Sequence, residues 1–419
     1  MVSPPSRAHL STLGSTIPTD PKSSSDHKDG APGLPAPAIL QVIPALDAGG
    51  AERTTIDVTA ALAHEGFQPL VASRGGRMVT ELVVSGGELI KLPLDTKAPH
   101  ALVANAYRLR DVIRTRNIAL VHARSRAPAW SAFWAARMAK VPFVTTYHGI
   151  YNASNPLKRF YNSVMARADA VIANSQWTAA HIKSQYRFAP KNLVVIPRGI
   201  DLARFDPAGI PPERAAALRA AWGASEAETV ILLPGRLTRW KGQTVFIAAL
   251  AQLKREGRLA DVRAVLAGDP QGRTDYESEL RKAIAEAGLQ DSVVIPGHTS
   301  DMPAAYLASD IVVSASTDPE AFGRVSAEAS AMARPVIATN HGGSRETVLP
   351  GVSGLLIPPG DPKALADALA QLLLLDATSL LAMGMKGRAH IAAHFTVEKM
   401  CADTIAVYRM LLADKGRLP

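Results

Sequence analysis

Short apolar runs with strand character alternate along this chain with helix-length amphipathic segments, and the alternation breaks once and then begins again. The first series opens with Ala38–Pro44 (AILQVIP) and continues through predicted strands at Pro69–Ser73, Ala119–His122, Phe143–Tyr147, Ala170–Ala173 and Val194–Ile196. The break is the turn-rich run Pro197-Arg198-Gly199-Ile200-Asp201, followed by Phe205-Asp206-Pro207. The second series predicts strands at Thr229–Leu233, Arg263–Ala267, Val293–Ile295, Ile311–Ser314, Pro335–Ala338 and Gly354–Ile357, with two helices, Pro362–Leu374 and Val397–Leu412, closing the chain. Strand and helix in strict alternation imply a parallel sheet with helices on both faces. The predicted fold class is therefore α/β, with two Rossmann-like domains facing each other. Ligands of open α/β sheets bind at strand C-terminal ends, so two such domains predict one deep cleft between them. The expected boundaries are a tail over residues 1–37, a first domain over 38–200, a second over 201–395, and a C-terminal helix over 396–419 packing back on the first domain.

At 419 residues the chain is long enough for two cores. Its single cysteine, Cys401, excludes an internal disulfide and argues against a cysteine-based zinc site. The most apolar stretch, Ala364–Met385, is interrupted by Asp367 and Asp376 and reads as amphipathic helix, not a membrane span. The first 37 residues are rich in Pro, Ser, Gly and Asp and lack the apolar segment of a signal peptide, so a disordered tail and a cytoplasmic protein are expected. The net charge of +9 is unevenly spread. Residues 38–200 carry 20 Lys and Arg against 9 Asp and Glu, whereas residues 201–380 carry 17 against 22. A basic first domain suits an anionic partner: nucleic acid, anionic lipid or a phosphorylated glycan.

Candidate chemistry concentrates in Ser314–Val348, SASTDPEAFGRVSAEASAMARPVIATNHGGSRETV. A strand ends at Ser314, a polar loop carries Glu320, and Phe322-Gly323 opens a helix bearing Glu328. Glycine at a helix entrance permits close backbone approach, and the exposed N–H groups with the helix dipole suit a diphosphate. One glutamate there is adequately explained as a dipole complement. Two, with Gly342-Gly343 after the next strand, point to a nucleotide carrying a hydroxyl-rich group. In Leu233–Gly242 (LPGRLTRWKG), Arg236 and Lys241 follow the first strand of the second series. Together they can offset a diphosphate and stabilise it as a leaving group. Gly49-Gly50 follows the first strand of the first series but is not GxGxxG. His148 ends a strand just before Gly149, where it can hydrogen-bond a sugar hydroxyl.

Together these elements resemble the GT-B glycosyltransferases of family 4, the large retaining class, over nearly the whole core from Ile39 to about Leu412. The most specific part is the pair Glu320 and Glu328 within EAFGRVSAEA, supported by GRLTRWKG and the GG-A-E turn. The resemblance implies that Arg236 and Lys241 bind the donor diphosphate and that Glu320 contacts the transferred sugar, with the Phe322 and Gly323 amides and Arg324 close by. It implies that Glu328 binds the nucleotide ribose, that Gly50 lets the donor phosphate approach the first domain, and that His148 sits beside the sugar. The base is expected near Pro296-Gly297-His298. Two departures stand out: Ala333 where the family often has Gly, and Arg345 where its GGxPE often has Pro.

The resemblance further implies transfer with retention and no enzymic nucleophile, with no cofactor and no metal. A donor phosphate oxygen accepts the acceptor proton on the same face. The acceptor side is expected on the first domain, with Glu52, Arg124 and Arg126 as first choices and Arg74, Arg77, Lys158 and Arg159 as further cations. Of Trp130, Phe133 and Trp134, at near-helical spacing, at least one is expected in the core. The basic face with aromatics suits attachment to an anionic membrane surface, and the chain is also similar to bacterial lipopolysaccharide-core sugar transferases. The expected partners are thus a nucleotide sugar and a glycan or glycolipid acceptor, on the inner membrane face. Three rivals are a nucleotide-sugar epimerase of the same fold, a glycogen-type phosphorylase and a basic nucleic-acid-binding protein. The epimerase needs base pairs for C–H chemistry, the phosphorylase needs a pyridoxal-binding Lys and a much longer chain, and no helix-turn-helix, zinc or RRM signature supports the third.

Overall fold

The computed structural model describes residues 36–416 except Ala48, residues 152–154 and 187–191, and Arg273. The expected tail over residues 1–37 lies almost wholly outside the described residues. Seven strands form the first sheet: β1 (Ala38–Val42), β2 (Gln68–Ser73), β3 (Glu88–Lys91), β4 (Ile118–Ala123), β5 (Phe143–Tyr147), β6 (Ala170–Ala173) and β7 (Leu193–Val195). Six form the second: β8 (Thr229–Pro234), β9 (Val262–Ala267), β10 (Val293–Gly297), β11 (Ile311–Ser314), β12 (Val336–Thr339) and β13 (Gly354–Ile357). Every pairing is parallel. The orders are β3-β2-β1-β4-β5-β6-β7 and β10-β9-β8-β11-β12-β13. The two α/β domains are those the alternation predicted.

Winding reverses direction between β1 and β4 in the first sheet and between β8 and β11 in the second. At such a switch point the connections leave to opposite faces and open a crevice beyond the strand ends. Gly49-Gly50 follows β1 and Arg124 follows β4, while the loops holding Arg236 and Glu320 follow β8 and β11. The motifs read from the sequence thus lie at the two places where this topology makes a binding crevice.

Each sheet is covered on both faces. In the second domain one layer packs Phe246, Leu250, Leu280 and Leu369 against Ile231 and Leu266, and the other packs Tyr306, Ala327 and Met332 against Leu232 and Val312. The helix Val397–Ala413 crosses back to the first domain. There Met400, Ile405, Tyr408 and Leu412 share a core with Ile39, Val58, Leu62 and Leu120. It starts at Thr396, whose Oγ1 accepts from the Lys399 N–H at 3.2 Å.

Of the elements not read from the sequence, three show why. β3 is a four-residue edge strand, three of its residues half-buried and Lys91 exposed, with too little alternation to declare itself. Pro212–Ala221 is a helix hidden by the Pro211-Pro212 pair, although Pro212 sits at the first turn where proline is tolerated. Ala377–His394 is a third closing helix, disguised by Gly384 and Gly387. Gly384 packs against the backbone of Ala333 so closely that a Cβ would overlap it, so its helix cost is offset by helix-to-helix contact. No single helix among the described residues is long and apolar enough to cross a membrane.

Candidate active site

On the second domain, two loops are locked edge to edge. Gly242 adopts φ 75° and a Cβ there would overlap the Ala315 carbonyl, so the loop after β8 can close onto the loop after β11 only with glycine at this position. The Thr317 N–H donates to the Trp240 carbonyl at 2.7 Å. This clasp brings Lys241 Nζ to 2.7 Å from Glu320 Oε1, which also accepts from Ser316 Oγ at 2.6 Å. Both side chains are nearly buried. Burial raises the Glu320 pKa, but the Lys241 charge and the hydrogen bonds from Lys241 and Ser316 outweigh it and leave the carboxyl below its ordinary range. From below, Gly342 and Gly343 press on the backbone of Glu320 and Phe322, and the Gly343 N–H donates to the Glu320 carbonyl at 2.8 Å.

Gly323, at φ 82°, starts the helix Arg324–Ala331. Glu328 on that helix accepts from Tyr306 Oη at 2.9 Å and pairs with Arg324 Nε at 3.3 Å. Here burial prevails over Arg324 and Tyr306, and the carboxyl lies above its ordinary value. Tyr306 was missed in the sequence because nothing local marks it. The Phe322 side chain is buried beside Phe395, so only its backbone can face a ligand. Arg236 and His298 are exposed at the ends of β8 and β10.

Across the cleft, His148 follows β5 and lines a recess with Thr54, Arg124, Thr146, Asn174 and Arg198. Burial, then the Arg198 and Arg124 charges, hold the His148 pKa well below its ordinary value, so the ring is neutral. Among the described residues its Nε2 has no hydrogen-bond partner, nor has Asn174 Nδ2. Arg198, read in the sequence only as part of the linker, stands 3.5 Å from His148 Nδ1 through Nη2. A Cβ at Gly50 would overlap its guanidinium. The space over Gly50, expected to admit a donor phosphate, is therefore occupied by a cation of this chain.

The acceptor-side expectations divide. Arg124 is not on the surface: it is 2% exposed, and its Nε and Nη2 both donate to Gln41 Oε1, at 2.9 and 2.6 Å. The reason is that β4 pairs with β1, whose buried Gln41 accepts both guanidinium N–H groups and draws the side chain inward. Arg126 donates to Asn162 at 2.9 Å and lies over the Tyr151 ring. Glu52 folds over Gly49 at the start of the helix Gly50–His64. Arg74 pairs with Asp47 at 2.7 Å, and Arg77, Lys158 and Arg345 are exposed. Arg159 is exposed and donates to the Gln185 carbonyl. Trp130 is buried with its Nε1 donating to the Tyr161 carbonyl, Phe133 is half-buried, and Trp134 is 36% exposed. Ala333 adopts φ 54°, the left-handed region glycine favours, which explains the glycine common there.

Polar contacts join the two halves, and a carboxylate makes two of them. Glu346, two residues beyond Ser344 in the GGSRE run, accepts from the Gln176 and Trp177 N–H groups at 3.0 and 3.1 Å. These N–H groups open the helix Gln176–Gln185 of the first domain.

Comparison with known proteins matches both halves of the chain. Residues 48–204 match the family Glycosyltransferase Family 4, and residues 215–390 match Glycosyl transferases group 1. The chain is 34% identical over 294 residues to the D-inositol 3-phosphate glycosyltransferase of Salinispora arenicola, a match covering 66% of this chain and 65% of that one. A solved glycosyltransferase from Rickettsia africae is 34% identical, with a TM-score of 0.81 over 90% of this chain and 99% of that one. Anabaena HepE, solved with UDP and glucose, is 27% identical, with a TM-score of 0.75 over 89% of this chain and 99% of that one. With both halves matched and the facing sheets in place, the chain belongs to the family 4 glycosyltransferases of the GT-B fold.

Proposed function

We propose that this protein is a retaining, metal-independent hexosyltransferase that moves a sugar from a nucleoside-diphosphate donor to a hydroxyl of an anionic glycan or glycolipid. The observation that carries the reading is the buried Lys241–Glu320 pair at 2.7 Å, held where the loops after β8 and β11 meet at a topological switch point. Lys241 and Arg236 bind the diphosphate. Glu320 accepts from hydroxyls of the transferred sugar, Glu328 from the ribose, and His298 lies near the base. The bond between the sugar's anomeric carbon and the diphosphate oxygen breaks while the acceptor oxygen attacks on the same face. The acceptor proton passes to the departing phosphate oxygen. The protein supplies alignment and offsets the charge on the leaving group, and both cations do so without a metal. His148, neutral through burial, serves as a hydrogen-bonding partner for the sugar.

The basic first domain supports a phosphate-bearing acceptor, and the lipopolysaccharide core is one such glycan. The helix Pro156–Ser163, with Leu157 and Phe160 exposed beside Lys158 and Arg159, supports a seat on an anionic membrane surface. Slow hydrolysis of UDP-, GDP- and ADP-hexoses, read by NMR of the released sugar, tests the donor and the stereochemistry. The α-donor is expected to release the α-anomer first, with no loss in EDTA. Release of the β-anomer first, or a loss restored by Mg²⁺ or Mn²⁺, would refute the corresponding half of the proposal. Sedimentation with anionic vesicles tests attachment, expected at low salt and reversed at high salt.

A further inference from the structure

The donor-binding reading leaves one charge unaccounted for. Lys241 is neutralised by Glu320, and Glu328 is paired with Arg324. Among these residues only Arg236 remains in excess, whereas the diphosphate of a nucleotide sugar carries two negative charges. We infer that Arg198, delivered from the segment joining the two domains, is a further cation on the donor diphosphate beside Arg236 and Lys241, supplying the second uncompensated positive charge, and that Gly50 is glycine in order to seat its guanidinium.

The backbone holds this residue in place from both sides. Gly199 packs against the Val397 backbone with no room for a Cβ, and the Ile200 N–H donates to the Phe395 carbonyl at 2.7 Å. The side chain is thereby directed between the start of the helix Gly50–His64 and His148. Among the described residues no carboxylate stands within ion-pair distance of it, and its Nε has no hydrogen-bond partner. The charges acting on it are Arg324 and Glu328 of the second domain, and Asp57 and Glu52 of the first. Glu328 is already held by Tyr306 and Arg324. Arg198 and Arg324 carry like charge, Glu328 is already occupied, and neither Asp57 nor Glu52 reaches Arg198 within ion-pair distance, so an anion brought to these guanidinium groups relieves their repulsion. Asn174, 2% exposed, adds an unpartnered Nδ2 to the same recess. Burial lowers the Arg198 pKa only to about 10, so the guanidinium stays charged at neutral pH.

The test is calorimetric binding of UDP and UMP to the full chain and to Arg198→Gln, Arg198→Lys, Gly50→Ala and the Gly50→Ala/Arg198→Gln pair, with melting temperatures alongside. Losing a charge-assisted contact to phosphate predicts that Arg198→Gln weakens UDP about ten- to a hundredfold, UMP much less, and that Lys recovers part of the loss. Gly50→Ala, which displaces the guanidinium, is expected to weaken UDP similarly, with no further loss in the pair. Equal UDP affinity in wild type and Arg198→Gln, while Arg236→Gln weakens it, overturns the inference and spares the donor reading. Equal weakening of UDP and UMP with a lowered melting temperature assigns Arg198 to structure and also overturns it. A wild-type chain that binds neither UDP, GDP nor ADP overturns the donor reading, and the inference with it.

Discussion

Lys241 and Glu320 face each other nearly buried, so stability and activity are tied together at these two residues and can be separated by mutation. Removing either partner leaves a buried charge uncompensated, at a cost of about 3 kcal/mol. Lys241→Met and Glu320→Gln are each expected to lower the melting temperature, whereas the double variant should lose less than the sum because no lone charge remains. Transfer should follow another rule. Lys241→Met is expected to reduce kcat by roughly a hundredfold or more through lost leaving-group stabilisation, and the double variant should recover none of it. Additive melting shifts, or activity returning in the double variant, would contradict the roles assigned here. Both residues were readable in the sequence because each sits in a short motif whose spacing carries chemistry. Tyr306, which donates to Glu328 across 22 residues, and Arg198, in contact with the seat at Gly50, carry no such local signature.

Among the elements, the C-terminal helix shows how a distant segment completes a domain. His122 on β4 is fully buried, with Nδ1 2.5 Å from Tyr408 Oη on that helix and Nε2 2.8 Å from Thr146 Oγ1 on β5. Burial, then Arg124 and His148, push its pKa well below the ordinary 6.5. The folded state therefore binds fewer protons at this ring than the unfolded state, so stability is fully present above pH 6.5 and falls as pH drops below it. The loss is about 1.4 kcal/mol for each unit of pH below the unfolded pKa, until the folded pKa is reached. His122→Gln, which does not titrate, is expected to be less stable at pH 8 yet to lose less stability than wild type between pH 7 and 5.5. Denaturant unfolding at several pH values measures this, and parallel slopes for the two proteins would refute it. Asp57, raised to about 6 by burial, is present in both proteins and cancels in the difference.

For the whole molecule, the decisive contact is Glu346 on the N–H groups of Gln176 and Trp177, reinforced by Thr178 Oγ1 donating to the Ala321 carbonyl at 3.2 Å. A carboxylate at a helix start satisfies unpaired N–H groups and opposes the dipole, worth about 0.5–2 kcal/mol. Because it spans the domains and its loop rests on the backbone of Glu320 and Phe322, it favours a closed cleft. Glu346→Ala is expected to raise the radius of gyration in small-angle scattering and to lower kcat/KM about three- to thirtyfold. An unchanged radius with full activity would show that the contact holds nothing closed. The alternation of strand and helix, the domain break near residue 200, and the glutamate and cation motifs were determined by the sequence alone, because periodicity and short spacing are local properties. Which side chains meet was decided only by tertiary structure. Arg124 turned inward, Arg198 settled on Gly50, and Glu346 reached the other domain, since contacts over 83, 148 and 170 residues depend on how sheets stack, which no window of sequence records.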